Sequence, residues 1–254
     1  MSPEDTGNPP PRGATAEREA DDRARPRAKI VLLRHGEPQW SLDNGPSVSD
    51  PALTPFGIWQ AEASARALAA EHQFDALYVS PHRRARETAT PLAKATGLEP
   101  VTVDRLAEVG VAVEGFSAEE ADRYFVDGSR RPLQEHWDGW PGAESFRDFH
   151  ARVTSGVTDV LERHSCRPYR EHDFTAWNLP EKKPSIAIVA HMGTNAVILT
   201  HLLDIRPVPW EWLRFETGLA AYSVLQARPI GPQGYVWSLL QFDREDHLVQ
   251  AGLR

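Results

Sequence analysis

Lys29-Ile30-Val31-Leu32-Leu33 runs directly into Arg34-His35-Gly36-Glu37, so four large apolar residues empty into a cation, an imidazole and a glycine. A short apolar run rich in branched side chains and bounded by glycine predicts a strand buried on both faces. Such strands belong to parallel sheets covered by helices, and the ligands of open α/β sheets sit beyond the carboxyl ends of the strands. Arg34 therefore brings a planar fork of donors suited to carboxylate or phosphate to a natural site position. His35 adds a side chain that acts as nucleophile, acid or base near neutral pH. Gly36 removes Cβ where the backbone turns or approaches a ligand. Alone, the tripeptide decides little, because an arginine and histidine at a strand end are often structural.

Working outward, short apolar runs alternate with longer stretches of helical period. Strands are predicted at Lys29–Leu33, Ala76–Val79, Pro100–Val103, Ser185–Ala190 and Ala221–Leu225, with helices near 55–72, 83–96, 117–126, 144–164 and 194–203. This alternation predicts a three-layer α/β/α sandwich around a mainly parallel sheet of about six strands. A last run, Tyr235 to Phe242, adds a strand expected to be antiparallel at an edge. Residues 1–28 are rich in Pro, Ala, Arg and acidic residues and are expected to form a disordered tail. Residues 29–254 are expected to form one folded domain.

Composition sets further bounds. The 254 residues carry a formal net charge of −8, which argues against a general nucleic-acid binder, whose affinity comes from clustered Lys and Arg. Cys166 is the single cysteine, so an intrachain disulfide framework and a Cys-rich zinc site are excluded. No apolar stretch reaches membrane-spanning length, and the N-terminus lacks the apolar core of a secretory signal. The expectation is a soluble, cytoplasmic chain with no membrane partner.

Two further stretches repeat the logic of the first. After the Ala76–Val79 strand comes Ser80-Pro81-His82-Arg83-Arg84-Ala85-Arg86-Glu87-Thr88-Ala89, where Ser80 reads as an N-cap and Pro81 as the first helical residue. Helix N-termini attract anions, which makes Arg84 a phosphate-binding candidate, while Arg83 and Arg86 read as a solvated helix face. The strand Ile186 to Ala190 then empties into His191-Met192-Gly193-Thr194-Asn195 ahead of an apolar helix. If the two strands are neighbours, His191 faces the same crevice as His35.

In this order and on these elements the chain resembles the histidine phosphatase superfamily, also called phosphoglycerate-mutase-like. The match rests on Arg34-His35-Gly36, Leu53-Thr54 with Gly57, Ser80-Pro81-x-x-Arg84-Ala85-x-x-Thr88-Ala89, Pro141-Gly142-Ala143-Glu144-Ser145 and His191. The resemblance implies a phosphatase acting on phosphomonoesters of a small metabolite, with His35 attacking phosphorus to form a phosphohistidine that water then hydrolyses. It implies that Arg34, Arg84 and His191 hold the transferring group and spread its charge, and that no metal or other cofactor is required. A carboxylic acid protonates the leaving alcohol in this family, and Glu108 occupies its place. Glu114 is the competitor, because the segment after Glu108 is spaced differently from the family pattern. The same site chemistry also supports a phosphoglycerate mutase, or a catalytically silent member that binds phosphorylated ligands or proteins.

Departures from the family pattern mark the remaining expectations. Gln39, Ser41 or Asn44 would supply a phosphate contact after the first motif, and Met192 stands where Gly commonly follows the second histidine. Residues 165–184 lengthen one connection and read either as a lid or as an irregular surface loop. Trp137 and Trp140 are either ordinary packing or a wall of the substrate mouth suited to a ring-bearing leaving group, with His136 and Asp138 tuning it. The Trp210-Glu211-Trp212 stretch would serve as a contact surface in a possible homodimer.

Overall fold

Alternation along the first strand places it at the centre of the sheet. In the computed structural model, which describes residues 27–40 and 46–254, Ile30 and Leu32 pack into one apolar layer while Val31 and Leu33 pack into the other. The strands are β1 (Lys29–Arg34), β2 (Ala76–Val79), β3 (Pro100–Thr102), β4 (Arg167–Glu171), β5 (Phe174–Asn178), β6 (Ser185–Ala190), β7 (Tyr222–Pro229) and β8 (Tyr235–Arg244). The helices are α1 (Pro55–Glu71), α2 (Arg83–Thr96), α3 (Ala118–Ser129), α4 (Phe146–Arg163), α5 (Met192–Leu202) and α6 (Asp246–Ala251). One face of the sheet is covered by α4 and α5 through Phe149, Val153, Val157, Val197 and Ile198. The other is covered by α1 and α2 through Ala65, Leu68, Ala85, Ala89 and Leu92. The expected three-layer α/β/α sandwich is the fold.

The sheet is larger and more mixed than expected. Its eight strands run in the order β3-β2-β6-β1-β7-β8-β5-β4. The β3-β2-β6-β1 half is parallel, and the rest is antiparallel. Two of the extra strands come from the 165–184 segment, which is neither a lid nor an irregular loop. There β4 and β5 form a tight hairpin across His172, whose φ of 50° is left-handed. The hairpin is held because Trp177, 1% exposed, packs its ring against Trp237 and His201. Asp204, just past α5, accepts hydrogen bonds from the amide and hydroxyl of Thr175 at 3.0 and 3.1 Å. Hairpins need only short turns, so an antiparallel extension is available to a segment too short for a crossover.

The tail boundary moves by a residue or so: Ala28 is fully buried, and its carbonyl accepts from the Ala227 amide at 2.9 Å. The rest of the expected tail lies outside the described residues, as do Ser41 and Asn44. Among the described residues, no helix is long and apolar enough to cross a membrane.

What positions the site is strand register. Parallel pairing of β1 with β6 sets Arg34 opposite Ala190, and pairing of β2 with β6 sets Val79 opposite Val189. Three strands therefore end together, delivering His35, His191 and Ser80 to one edge.

Candidate active site

His35 leaves β1 with its amide bonded to the Ala190 carbonyl at 3.0 Å, and its ring is 4% exposed. Nδ1 lies 2.8 Å from the Gly36 carbonyl oxygen, which can only accept, so Nδ1 carries the proton. Nε2 is left with its lone pair and accepts from Arg84 Nε at 3.3 Å. Burial, reinforced by the Arg84 and Arg34 charges, holds the pKa of His35 well below the ordinary histidine value. The imidazole is thus a neutral base whose free electron pair points at a guanidinium.

A close backbone approach fixes the turn after this strand. A Cβ on Gly36 would lie 2.5 Å from the Gly57 carbonyl oxygen, and a Cβ on Gly57 would lie 2.2 Å from that of Glu37. Only glycine at both positions lets the loops touch. Thr54 caps α1 by accepting from the Gly57 amide at 2.9 Å, while Thr88 Oγ1 accepts from the Gly36 amide at 3.0 Å. The Leu53-Thr54 and Thr88 parts of the sequence pattern are therefore the frame of the His35 loop.

His191 stands at the end of β6 with its ring centroid 5.1 Å from that of His35. Its fixing partner is Ser80, whose hydroxyl lies 2.7 Å from His191 Nε2 and accepts from the His82 amide at 3.3 Å. The hydroxyl can donate to Nε2, and the proton of the neutral ring then sits on Nδ1. The expectation that Ser80 caps the following helix is corrected here. Helix α2 starts at Arg83 with His82 in the capping position and no side-chain cap, because the serine hydroxyl is spent on His191. Burial, together with the neighbouring histidines and arginines, also pushes the pKa of His191 well down.

The two arginines approach from different elements. Arg84, 3% exposed in the first turn of α2, lies 3.7 Å from Asp50 through Nη1, and its guanidinium sits 5.1 Å over the ring of Trp40. Arg34 donates to the Thr217 carbonyl and lies 3.6 Å from the sulfur of Met192. Arg34 Nε, Arg84 Nη1 and His191 Nδ1 are all buried without a hydrogen-bond partner. Buried donors left unpaired are costly, and a tetrahedral oxyanion offers acceptors to such a set. Arg83 and Arg86 are exposed, and Arg83 pairs with Glu87 at 2.7 Å, as expected of a solvated face.

Of the two candidate acids, Glu108 stands at the site and Glu114 does not. Glu108 Oε2 accepts from the Gly193 amide at 2.9 Å, and Oε1 accepts from the amides of Val109 and Thr194 at 3.0 and 3.1 Å. It thereby occupies the N-terminus of α5, two residues from His191. A Cβ on Gly193 would lie 2.6 Å from this carboxylate. Desolvation raises the pKa of Glu108, against the pull of these amides and of both arginines. Glu114 is exposed, accepts from the Ser49 amide at 2.6 Å, and has its pKa lowered by the Ser49 hydroxyl and amide.

Above these groups opens a cavity of about 630 Å³ that includes Trp40, Arg84, Glu108, Trp140, Met192 and Trp212 in its wall. Trp140 thus takes the place expected of it, whereas Trp137 lies elsewhere, against His150 and under Arg147. His136 does not tune the mouth; it is buried and accepts from the Trp210 indole at 2.5 Å. Glu211 is fully buried and paired with Arg214 at 2.7 Å, so this residue of the Trp210–Trp212 stretch is packed inward. Trp40, Asp50 and His82 were missed from sequence, since nothing in their local pattern marks them. Ser80 and Thr88 carried a signal, as parts of the motif around Arg84. Among the described residues, no group of three or more His, Cys, Asp or Glu is arranged to hold a metal ion.

Comparison with known proteins identifies the family. The profile described as Histidine phosphatase superfamily (branch 1) matches residues 30–239. A putative phosphoserine phosphatase 2 of Hydrogenobacter thermophilus is 31% identical over 185 residues, covering 70% of this chain and 79% of that protein. A 2,3-bisphosphoglycerate-dependent phosphoglycerate mutase of Azorhizobium caulinodans is 33% identical, over 49% of this chain and 64% of its own length. A bifunctional protein of Mycobacterium tuberculosis is 35% identical over 52% of this chain, and the chain spans only 37% of that relative's length. Among solved structures, a mycobacterial glucosyl-3-phosphoglycerate phosphatase with inorganic phosphate superposes with a TM-score of 0.63 at 26% identity. It covers 87% of this chain and 99% of its own.

Proposed function

The chain belongs to the histidine phosphatase superfamily, and from that premise we propose that it hydrolyses phosphomonoesters of a small metabolite through a phosphohistidine on His35. The observation that carries this reading is the unprotonated Nε2 of His35, set 3.3 Å from Arg84 and beside His191 on the adjoining strand end. In the first step Nε2 attacks phosphorus, the bond to the leaving alcohol oxygen breaks, and Glu108 gives its proton to that oxygen. The imidazole takes on positive charge as the P–N bond forms, and the Gly36 carbonyl at Nδ1 stabilises it. In the second step water attacks phosphorus, Glu108 takes the water's proton, and Nε2 departs with its electron pair. Covalent catalysis divides one difficult displacement into two easier ones.

Arg34, Arg84 and His191 Nδ1 supply donors to the equatorial oxygens, where charge is spread in phosphoryl transfer. Bound phosphate adds negative charge beside Glu108 and favours its protonated form, as a donor requires. Fixed guanidinium groups do the electrostatic work, so the steps include no metal. The phosphatases among the relatives support hydrolysis as the outcome.

The test is phosphate release from a panel of phosphorylated metabolites, with and without a chelator, run beside His35→Ala. Turnover is expected to survive chelation and to be almost abolished by the substitution. Labelled phosphate is expected on the wild-type chain and absent from the variant. Wild-type rates in His35→Ala would reject the nucleophile, and isomerisation of 3-phosphoglycerate without phosphate release would replace hydrolysis by mutase chemistry.

A further inference from the structure

The cavity bounded by Arg84 and Glu108 carries information about the other half of the substrate. Its walls are aromatic: Trp40, under the Arg84 guanidinium, with Phe125, Trp140 and Trp212, and the aliphatic Val111 beside them in the lining. The Trp140–Trp212 part of the wall is held in place before any ligand arrives. Trp140 stacks on Trp212 at 6.0 Å and 17°, with Trp210 and Phe146 set edge-on against both. A rigid wall of indole rings binds flat apolar groups with little ordering cost.

Charge narrows the choice further. Among the described residues lining the cavity, Arg84 is the single arginine or lysine; its Nε is engaged by His35 and, on the phosphatase reading, its unpaired Nη1 is taken by the phosphoryl group. Arg152, behind the wall, is spent on Glu144 at 2.6 and 2.8 Å and on the carbonyls of Arg105, Ala107 and Glu108. Asp50 adds an acidic group to the lining, and burial lowers the pKa of His82, which keeps that ring neutral near pH 7. A carboxylate on the leaving group would therefore lose water, find no cation and face Asp50, which is a device for rejecting it.

Resting on the phosphatase reading, we propose that the leaving alcohol is uncharged and carries an apolar, ring-sized body. This departs from the carboxylate-bearing substrates in the names of several relatives. The His82 ring, in the wall with its Nδ1 unpartnered, offers a hydrogen bond to a neutral polar group on that body.

Four probes test it on the full chain by phosphate release: 2-phenylethyl phosphate, ethyl phosphate, 3-phosphoglycerate and the methyl ester of 3-phosphoglycerate. The expected kcat/KM for 2-phenylethyl phosphate exceeds those for ethyl phosphate and 3-phosphoglycerate by at least about tenfold, the scale on which an apolar pocket discriminates. Methylation of the carboxylate is expected to raise kcat/KM, and Val111→Arg is expected to shift preference toward 3-phosphoglycerate. Equal or faster turnover of 3-phosphoglycerate by the wild type overturns the proposal while leaving the phosphatase reading intact, as does an absence of ring preference over ethyl phosphate. Release from none of the four, with no phosphate retained on His35, overturns both.

Discussion

At the scale of single residues, His35 and Glu108 are tuned in opposite directions: burial lowers the first and raises the second. His35 must be neutral and Glu108 protonated in the first step, so activity rises as pH climbs through the lowered His35 value and falls as pH climbs through the raised Glu108 value. A bell-shaped kcat/KM profile is expected, with its acid limb below pH 6.5. Glu108→Gln is expected to remove the alkaline limb and to cost about a hundredfold or more in rate. An alkaline limb that persists in that variant would assign the acid elsewhere. The positions of Arg34, His35, Arg84 and His191 were legible because each stands at a strand or helix end beside an unmistakable apolar run. The bond from Ser80 to His191 was not, since a serine before proline at a helix start reads equally well as a cap. The choice between Glu108 and Glu114 depended on the α5 amides, which come from a segment more than eighty residues further along the chain.

Among the elements, helices were more legible than the sheet's far edge. Helices α1, α2 and α4 lie within a residue or two of expectation, because the Thr54 and Ser145 caps of α1 and α4 and Gly97 at the end of α2 are local signals. The β4–β5 hairpin gave no such signal; its strands are five residues each, and its stability comes from β8 and α5, distant in sequence. As part of the sheet and not a cover over the site, it should matter for stability alone. Trp177→Ala is expected to cost about 3–5 kcal/mol in urea unfolding, with kcat and KM near wild type in the folded protein. A large change in KM at unchanged stability would return this hairpin to a role at the site.

For the molecule as a whole, eight histidines have lowered pKa values: His35, His72, His82, His150, His164, His191, His201 and His247. In each, desolvation is the first cause. As pH falls through 6.5, the ordinary histidine value, the unfolded chain takes up protons that the folded chain does not, so stability declines toward acid. Glu108, with its raised value, acts with the opposite sign but is one group against eight. The melting temperature is expected to be several degrees lower at pH 5.5 than at pH 7.5, and an equal or higher value at pH 5.5 would contradict this. The layered architecture was legible from strand and helix alternation, and so was the antiparallel β8, whereas the β4–β5 hairpin that takes the edge expected of β8 was not, because pairing partners are chosen by burial across the sheet and not by local pattern.

The pairing of β1 with β6, Lys29 against Ser185 through Arg34 against Ala190, has a practical corollary. A slip of one residue would swap the faces of every side chain on the strand and carry both imidazoles out of alignment, even in a chain with native helix content. Turnover therefore counts correctly threaded molecules. The specific activity of a refolded sample, set beside its circular dichroism, would measure the misthreaded fraction that spectroscopy alone passes as native.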